Sequence, residues 1–245
     1  MSLLIELGQE EISKVQTLDF ERLETLENKT DTQREDWLKQ RIGRFTASEM
    51  HRLLTYENKP DELPKGAETY ILEKVVEVLT GEAKEGFKSE SMQWGNDNEL
   101  EAIETFARKR DISIKNTGEN QIFVKYGKHA GGTPDGVGHG FDVEVKCPNS
   151  ITHFVYVTQI KDSETLKAVK KEYYYQMQSL MLFTGKKYGY FISYDPRYKM
   201  KSKRLHFVRI ERNEKDIEFI KKLLEMAINL KKEMLNEFRS SNNRK

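Results

Sequence analysis

The segment that most constrains this chain is Phe141–Lys146. Its residues alternate, with Phe141, Val143 and Val145 on one face and Asp142, Glu144 and Lys146 on the other. That period of two is the signature of a strand with two chemically different faces. Before it lies Asp135-Gly-Val-Gly-His-Gly140, read as a glycine-rich turn reached through His129–Pro134. A strand directly after a tight turn implies a hairpin, which would set Asp135 opposite Glu144.

The period changes on either side. Thr32 followed by Glu35 reads as a capping box opening a helix through Trp37 and Leu38. Thr46-Ala-Ser-Glu49 reads as a second box, starting a short helix through Leu53 and Leu54. Residues 58–66, with two prolines and a glycine, predict a loop. Helices follow from about Ala67 to Gly81 and from about Ser89 to Arg110, the latter with Leu100, Ile103, Phe106 and Ala107 at helical spacing. Ile112–Thr117 and Gln121–Tyr126 read as strands. A helical stretch ends near Gly185 with Tyr173–Phe183 as its last part. Strands follow at Tyr188–Tyr194 and Leu205–Ile210. A final amphipathic helix runs from about Asn213 to Phe238 on a stripe of Ile217, Ile220, Leu224, Ile228 and Leu235. Helices around a central mixed sheet give an α/β (α+β) sandwich. Residues 1–30 form an acidic extension, helical or mobile, and residues 31–245 a single domain.

Composition removes several classes. No apolar run approaches the roughly 18 residues that a bilayer crossing needs. The opening residues turn acidic at once without a basic leader, so no signal peptide is expected and the cytoplasm is the default. Cys147 is the only cysteine, which excludes intramolecular disulfides, cysteine-rich zinc sites and iron–sulfur clusters. The net charge of +1 conceals an asymmetry. Residues 1–36 hold ten Asp/Glu and four Lys/Arg, whereas residues 186–245 hold seventeen Lys/Arg and eight Asp/Glu. The basic half is suited to phosphates, and equally to a solvated helix and loop.

The alternating strand also carries chemistry. Phosphodiester cleavage needs clustered carboxylates for hard metal ions and a group to activate water. Asp135 and Glu144 can share a cation, and Lys146, on the Glu144 face, can hold the attacking water or steady the phosphate. A cross-strand ion pair on an exposed hairpin would show the same residues. Glu99 precedes Ile103 by four and points toward the apolar side of its helix, where metal coordination would offset burial; an edge position explains it too. Arg41 and Ser48 flank a helix start, where N–H groups and a guanidinium fork suit a 5′-phosphate; the alternative is a surface arginine and a first-turn serine. Gln178, one turn before Leu182, is expected to hydrogen-bond inward. The five histidines lack metal-ligand spacing, and there is no Walker loop, dinucleotide fingerprint or G-x-S-x-G.

Seven stretches in order resemble the phage lambda exonuclease family, the YqaJ-type viral recombinases within the PD-(D/E)XK nucleases. They are Trp37-Leu-Lys-Gln-Arg-Ile-Gly, Thr46-Ala-Ser-Glu, Trp94-Gly-Asn-Asp-Asn-Glu99, Thr133-Pro-Asp-Gly136, Glu144-Val-Lys-Cys-Pro148, Tyr175-Gln-Met-Gln178 and Tyr194-Asp-Pro-Arg197. The resemblance implies a restriction-endonuclease-like core and a magnesium-dependent 5′-to-3′ exonuclease on linear duplex DNA. Such an enzyme releases mononucleotides and leaves a 3′ overhang for recombination by annealing; manganese is expected to substitute for magnesium. Asp135, Glu144, the Val145 carbonyl and Glu99 would hold metal, with Lys146 assisting the water. Arg41, Ser48, Thr133 and Gln178 would bind the terminal 5′-phosphate. Thr133 stands where the family pattern has serine, which keeps the hydroxyl. The resemblance further implies a homotrimer, double-stranded DNA ends as ligand, a single-strand annealing protein as partner and a bacterial cytoplasm if phage-encoded. A structure-specific or single-strand nuclease of the same superfamily is the nearest alternative. A non-catalytic DNA-end binder is another, against which the intact acid–lysine set argues.

Overall fold

A computed structural model describes residues 35–54, 59, 61–83 and 90–241. The chain divides into two compact units, Met1–Gln40 and Arg41–Lys245. In the first, residues 35–40 are helical and Lys39 bridges Glu35 at 3.4 Å. The expected cap Thr32 and the acidic extension lie outside the described residues.

The second unit holds two sheets. In the larger, β4 (Gly136–Gly138), β5 (Phe141–Lys146), β6 (Tyr188–Tyr194) and β7 (Leu205–Glu211) lie in that order. The β4–β5 and β6–β7 pairs are antiparallel and β5–β6 is parallel. The parallel pair requires a crossover, supplied by α3 (Ser150–Gln159), α4 (Ser163–Val169) and α5 (Lys171–Thr184). In the smaller sheet, β1 (Phe45–Thr46) runs parallel to β3 (Ala130–Gly132), which pairs antiparallel with β2 (Val124–Tyr126). The remaining helices are α1 (Lys65–Thr80), α2 (Glu90–Arg110) and α6 (Glu214–Ser241).

Alternation along the strands divides the core. Phe141, Val143 and Val145 of β5, with Tyr190 and Ile192 of β6, pack on Ala102, Ile103 and Phe106 of α2. The other face, with Phe191, Val208 and Ile210, meets Met177, Leu180 and Met181 of α5 and Ile217 and Ile220 of α6. Helices therefore cover both faces, and the polar face of β5 is buried rather than exposed.

Several local expectations change. Leu100 is exposed, and Ala102 takes its place on the buried stripe of α2. Residues 112–117 form no strand; only Lys115 bridges Val137. Half of the predicted glycine-rich turn is strand β4, and the reversal narrows to His139 and Gly140. Thr46 precedes a 3-10 helix, Ala47–Leu53, without capping it. Its backbone N–H donates to the Tyr70 hydroxyl at 3.0 Å, so α1 supplies what the capping box would have. The loop before α1 is shorter than its prolines suggest, because the helix begins at Lys65, directly after Pro64. Five residues of the final stripe lie on α6 as expected, with Ile228 partly buried.

Candidate active site

The β4–β5 hairpin builds the site. Gly136 pairs with Val143, so Asp135 stands level with Glu144. Asp135 N donates to Val143 O at 3.1 Å, and the Asp135 carboxylate accepts from Val145 N at 2.7 Å. Val143 and Val145 thus direct their main-chain groups to the same edge of β5, and β4 has ended there. The Val145 carbonyl faces that open side by the same alternation.

Glu144 is 1% exposed. One oxygen accepts from Lys146 Nζ at 2.5 Å and from Gln176 Nε2 at 2.6 Å. The other, Oε2, is buried without a hydrogen-bond partner. An anionic oxygen in that position is costly unless a cation satisfies it. Lys146 also lies 4.9 Å from the centre of the Tyr173 ring.

Electrostatics couples these groups to Glu99. Burial first, then repulsion from Glu144, pushes the Glu99 carboxyl up to about 7, with Lys146 and a 2.7 Å bond from Gln121 opposing. Burial, then Glu144 and Glu99, holds the Asp135 carboxyl well above its ordinary range. Burial disfavours the Lys146 ammonium, but Glu144 and Asp135 outweigh it and its pKa rises. Cys147 next door is pushed up to about 12, mainly by burial, so it is a thiol at neutral pH and no nucleophile.

Among the described residues, no three His, Cys, Asp or Glu side chains converge closely enough to enclose a metal by themselves. The arrangement is an open one: two carboxylates, a main-chain carbonyl on the same edge, and a third acid coupled through space. Magnesium is typically held through one or two carboxylates while keeping waters and substrate oxygens. The orphaned Glu144 oxygen and the raised Asp135 and Glu99 carboxyls fit such an ion.

A second group lies in the smaller sheet. Arg41 Nη2 reaches Ser48 Oγ at 3.4 Å, and Ser48 Oγ lies 3.3 Å from Thr46 Oγ1. The parallel pairing of Phe45 with Ala130 and Thr46 with Gly131 carries Ala47 beside Gly132. A Cβ on Gly132 would lie only 2.8 Å from both Ala47 Cβ and Leu180 Cδ2, so only glycine permits this approach. Thr133 follows, and its hydroxyl is buried without a partner. Two residues later the chain reaches Asp135, which joins the two groups covalently.

Gln178 is tied to the β7–α6 junction. It is buried and hydrogen-bonded inward as expected, but its amide donates to Glu211 O at 2.8 Å and accepts from Asn213 N at 2.9 Å. One Nε2–H and the amide oxygen thus secure the passage from β7 into α6. Its neighbour Gln176 reaches the acids instead. The signal was available: residues two apart on a helix point to different sides, so only one of Gln176 and Gln178 could face β5. The histidines are structural or exposed; His153, for example, is buried between Ser193 Oγ at 2.7 Å and Lys203 O at 2.8 Å.

Comparison with known proteins places the fold. The sequence pattern of the YqaJ-like viral recombinase domain matches residues 36–187. LHK-Exo in complex with dAMP is similar at 25% identity and a TM-score of 0.73, covering 86% of this chain and 98% of that one. A second structure of LHK-Exo, an alkaline exonuclease from Laribacter hongkongensis, aligns at 24% identity and a TM-score of 0.71, with the same coverage. A phage-related exonuclease from Haemophilus somnus 129PT shares the fold at 17% identity and 0.63, covering 80% and 96%. The uncharacterized protein ExoD of Escherichia coli strain K12 is 51% identical over 49 residues, which are 20% of this chain and 54% of ExoD. The chain thus spans about half the length of that curated relative.

Proposed function

Because the chain belongs to the YqaJ-like viral recombinase domain family, we propose that it is a magnesium-dependent nuclease that digests linear duplex DNA from its 5′ ends. The single observation that carries the metal is the buried, partnerless Glu144 oxygen beside Asp135. In this reading Asp135, Glu144 and the Val145 carbonyl hold the ion, and Glu99 adds negative charge. A bound magnesium ion supplies Lewis-acid polarisation of the phosphate and acidifies bound water; manganese serves in its place.

The residues of the chain do the rest. Gln176 and Lys146 hold Glu144 in one rotamer, and the Val145 N–H does the same for Asp135. Lys146 carries a positive charge to the edge where negative charge develops on the phosphate and positions the attacking water. Burial of the cluster strengthens each of these interactions. Arg41, Ser48 and Thr133 receive the terminal 5′-phosphate, with the partnerless Thr133 hydroxyl as its inner donor. Such a site would leave a 3′ overhang and release mononucleotides. A ring of three copies and an annealing protein working on that overhang belong to the same reading.

The test uses linear duplex carrying a label at the 5′ or the 3′ end of one strand. In magnesium the 5′ label should appear early as mononucleotide and the 3′ label late, with both retained in EDTA. Early release of the 3′ label, or no release in magnesium or manganese, overturns the reading. Light scattering on the purified chain checks the trimer separately.

A further inference from the structure

The turn Arg41–Arg44 is held by buried charge that the acid cluster does not use. Three charged side chains meet there: Lys74 at 9% exposure, Glu77 at 4% and Lys231 at 2%. Glu77 Oε2 accepts the Gly43 N–H at 2.8 Å, and its Oε1 accepts from Lys74 Nζ at 2.7 Å. Lys231 Nζ donates to the Gly43 carbonyl at 2.6 Å and sits 5.2 Å from the Phe45 ring centre. Both polar groups of one glycine are therefore gripped by ionised groups from two helices, α1 and α6.

The glycine itself is dictated. Its φ is +65°, and a Cβ would lie 2.3 Å from Val78 Cγ2. Arg44 N donates to Arg41 O at 2.9 Å and closes the turn, while Phe45 N donates to His129 O at 2.8 Å and starts β1. The turn thus has one fixed shape, with Arg41 at one end and the strand leading to Ser48 at the other.

Stability is a poor reason for this arrangement. Buried ion pairs typically gain little over apolar side chains of the same size, because desolvation offsets their attraction. Burial, followed by the nearby Lys74 and Arg44, lowers the Lys231 ammonium to about 8, which records that cost. What charged partners give a turn is geometry, since each N–H and C=O has one strong, directional partner.

We infer that Lys231 and Glu77, with Lys74 holding Glu77, are positioning residues that fix the Gly43 turn so that the Arg41 guanidinium meets a DNA end in one geometry. This rests on the 5′-phosphate reading above, although the coupling it asserts, between Lys231 and Arg41, does not require that the group met there be a phosphate. Neither Lys231 nor Glu77 needs to touch DNA. Displacing a positioned group by about 1 Å typically costs on the order of a hundredfold in rate.

The experiment compares initial digestion rates on 5′-phosphorylated and 5′-hydroxyl duplexes for wild type, Arg41→Ala, Lys231→Met and the double variant. Lys231→Met should reduce the phosphate preference by roughly tenfold to a hundredfold, with a rate on 5′-hydroxyl ends near wild type. Lys231→Arg, which keeps a cationic donor, should restore part of the preference. In the double variant the loss should be no greater than in Arg41→Ala alone, because positioning an absent side chain changes nothing. If Lys231→Met fails to fold by circular dichroism, Glu77→Gln takes its place under the same criteria. Losses that simply multiply in the double variant overturn the inference, even where wild type prefers phosphate. Wild type indifferent to the terminus overturns the phosphate reading instead, and non-multiplying losses would then still support the positioning.

Discussion

Two buried carboxylates on neighbouring chain segments of the larger sheet, β5 and the end of β6, are treated oppositely. Glu144 on β5 is 1% exposed and Asp195, directly after β6, is 0% exposed. Asp195 is fully satisfied: it accepts from Arg197 N, Nε and Nη2 at 3.0, 2.7 and 3.0 Å and from Ser150 Oγ at 2.6 Å. Burial alone would raise its pKa, but Arg197 and Ser150 outweigh burial and hold it below the usual carboxylate range. Glu144 keeps one oxygen without a partner, and its acidic neighbours Asp135 and Glu99 are pushed up. An acid that serves the fold is surrounded by donors. Glu144, kept short of donors beside Asp135 and Glu99, is the acid proposed to hold a ligand.

The largest break in this comparison should come at the lysine between the acids. Lys146→Ala should lower the cleavage rate by about 10²–10³ while duplex binding persists. Single-turnover digestion and an equilibrium binding measurement together check it, and near-normal cleavage in magnesium would remove Lys146 from the chemistry. Stability should follow the opposite pattern. Asp195→Ala strands the donors of Arg197 and Ser150 and should cost about 2–4 kcal/mol. Glu144→Gln relieves repulsion among the acids but removes the counter-charge of Lys146, so it should cost the metal-free protein less than Asp195→Ala does. Urea denaturation of both variants without metal measures this, and equal destabilisation would erase the distinction.

A smaller difference is expected in metal binding. Asp135→Asn and Glu144→Gln each keep shape but lose the charge that a hard cation prefers. Each should weaken magnesium by roughly tenfold or more, since even groups that only support the ligands of a metal site commonly matter at that level. Asp195→Asn, if folded, should leave affinity unchanged. Calorimetric titration separates the three, and unchanged affinity in the first two would place the ion elsewhere.

How much of this contrast was legible in the sequence depended on range. The alternation of Phe141–Lys146 and the short span to Asp135 announce a hairpin with two acids and a lysine on one face. Those contacts lie within a dozen residues, and a period of two dictates them. Burial of that polar face was not legible, because it comes from α5, some thirty residues away, and nothing local distinguishes a covered face from a solvated one. The Asp195–Arg197 motif was visible, but its partner Ser150 lies 45 residues earlier and meets it only because β5 and β6 are parallel. The Gly43 clamp was invisible for the same reason, with partners 34 and 188 residues away. The backbone partners of Gln178, Glu211 O and Asn213 N, were not legible either, because they belong to a junction that spacing cannot locate.

The smallest effect is the one most specific to the acid cluster, and it appears in the pH dependence of stability. Glu99 titrates at about 7 in the folded protein against an ordinary 4.5, chiefly because it is buried and secondarily because Glu144 repels its charge. Between those values the folded chain holds a proton that the unfolded chain has released. Stability of the metal-free protein from this group is therefore present below pH 4.5 and lost as pH rises through 7. Asp195 has the opposite sign, but its contribution is lost only on acidification below the ordinary carboxylate value of 3.8, outside that window. The buried histidines His153 and His206, both lowered by burial, lose stability as pH falls below 6.5 and would mask Glu99 in a single profile. Their contribution is common to wild type and Glu99→Gln and cancels in the difference between the two curves, which reports Glu99 together with the Asp135 carboxyl that it helps hold up. That difference should change by on the order of 1 kcal/mol from pH 5 to 7.5, roughly 2–4 °C in Tm for a chain of this size. Lys231 does not intrude, since its lowered ammonium adds stability only as pH rises from about 8 toward 10.5. Saturating magnesium should flatten the wild-type curve over the same range, because the ion favours the ionised cluster that protons would otherwise neutralise. Melting curves of both proteins, each with and without magnesium, provide the four profiles. Parallel metal-free curves would mean that Glu99 is an ordinary edge carboxylate. A wild-type slope that survives magnesium would separate Glu99 from the ion while leaving Asp135 and Glu144 as its ligands.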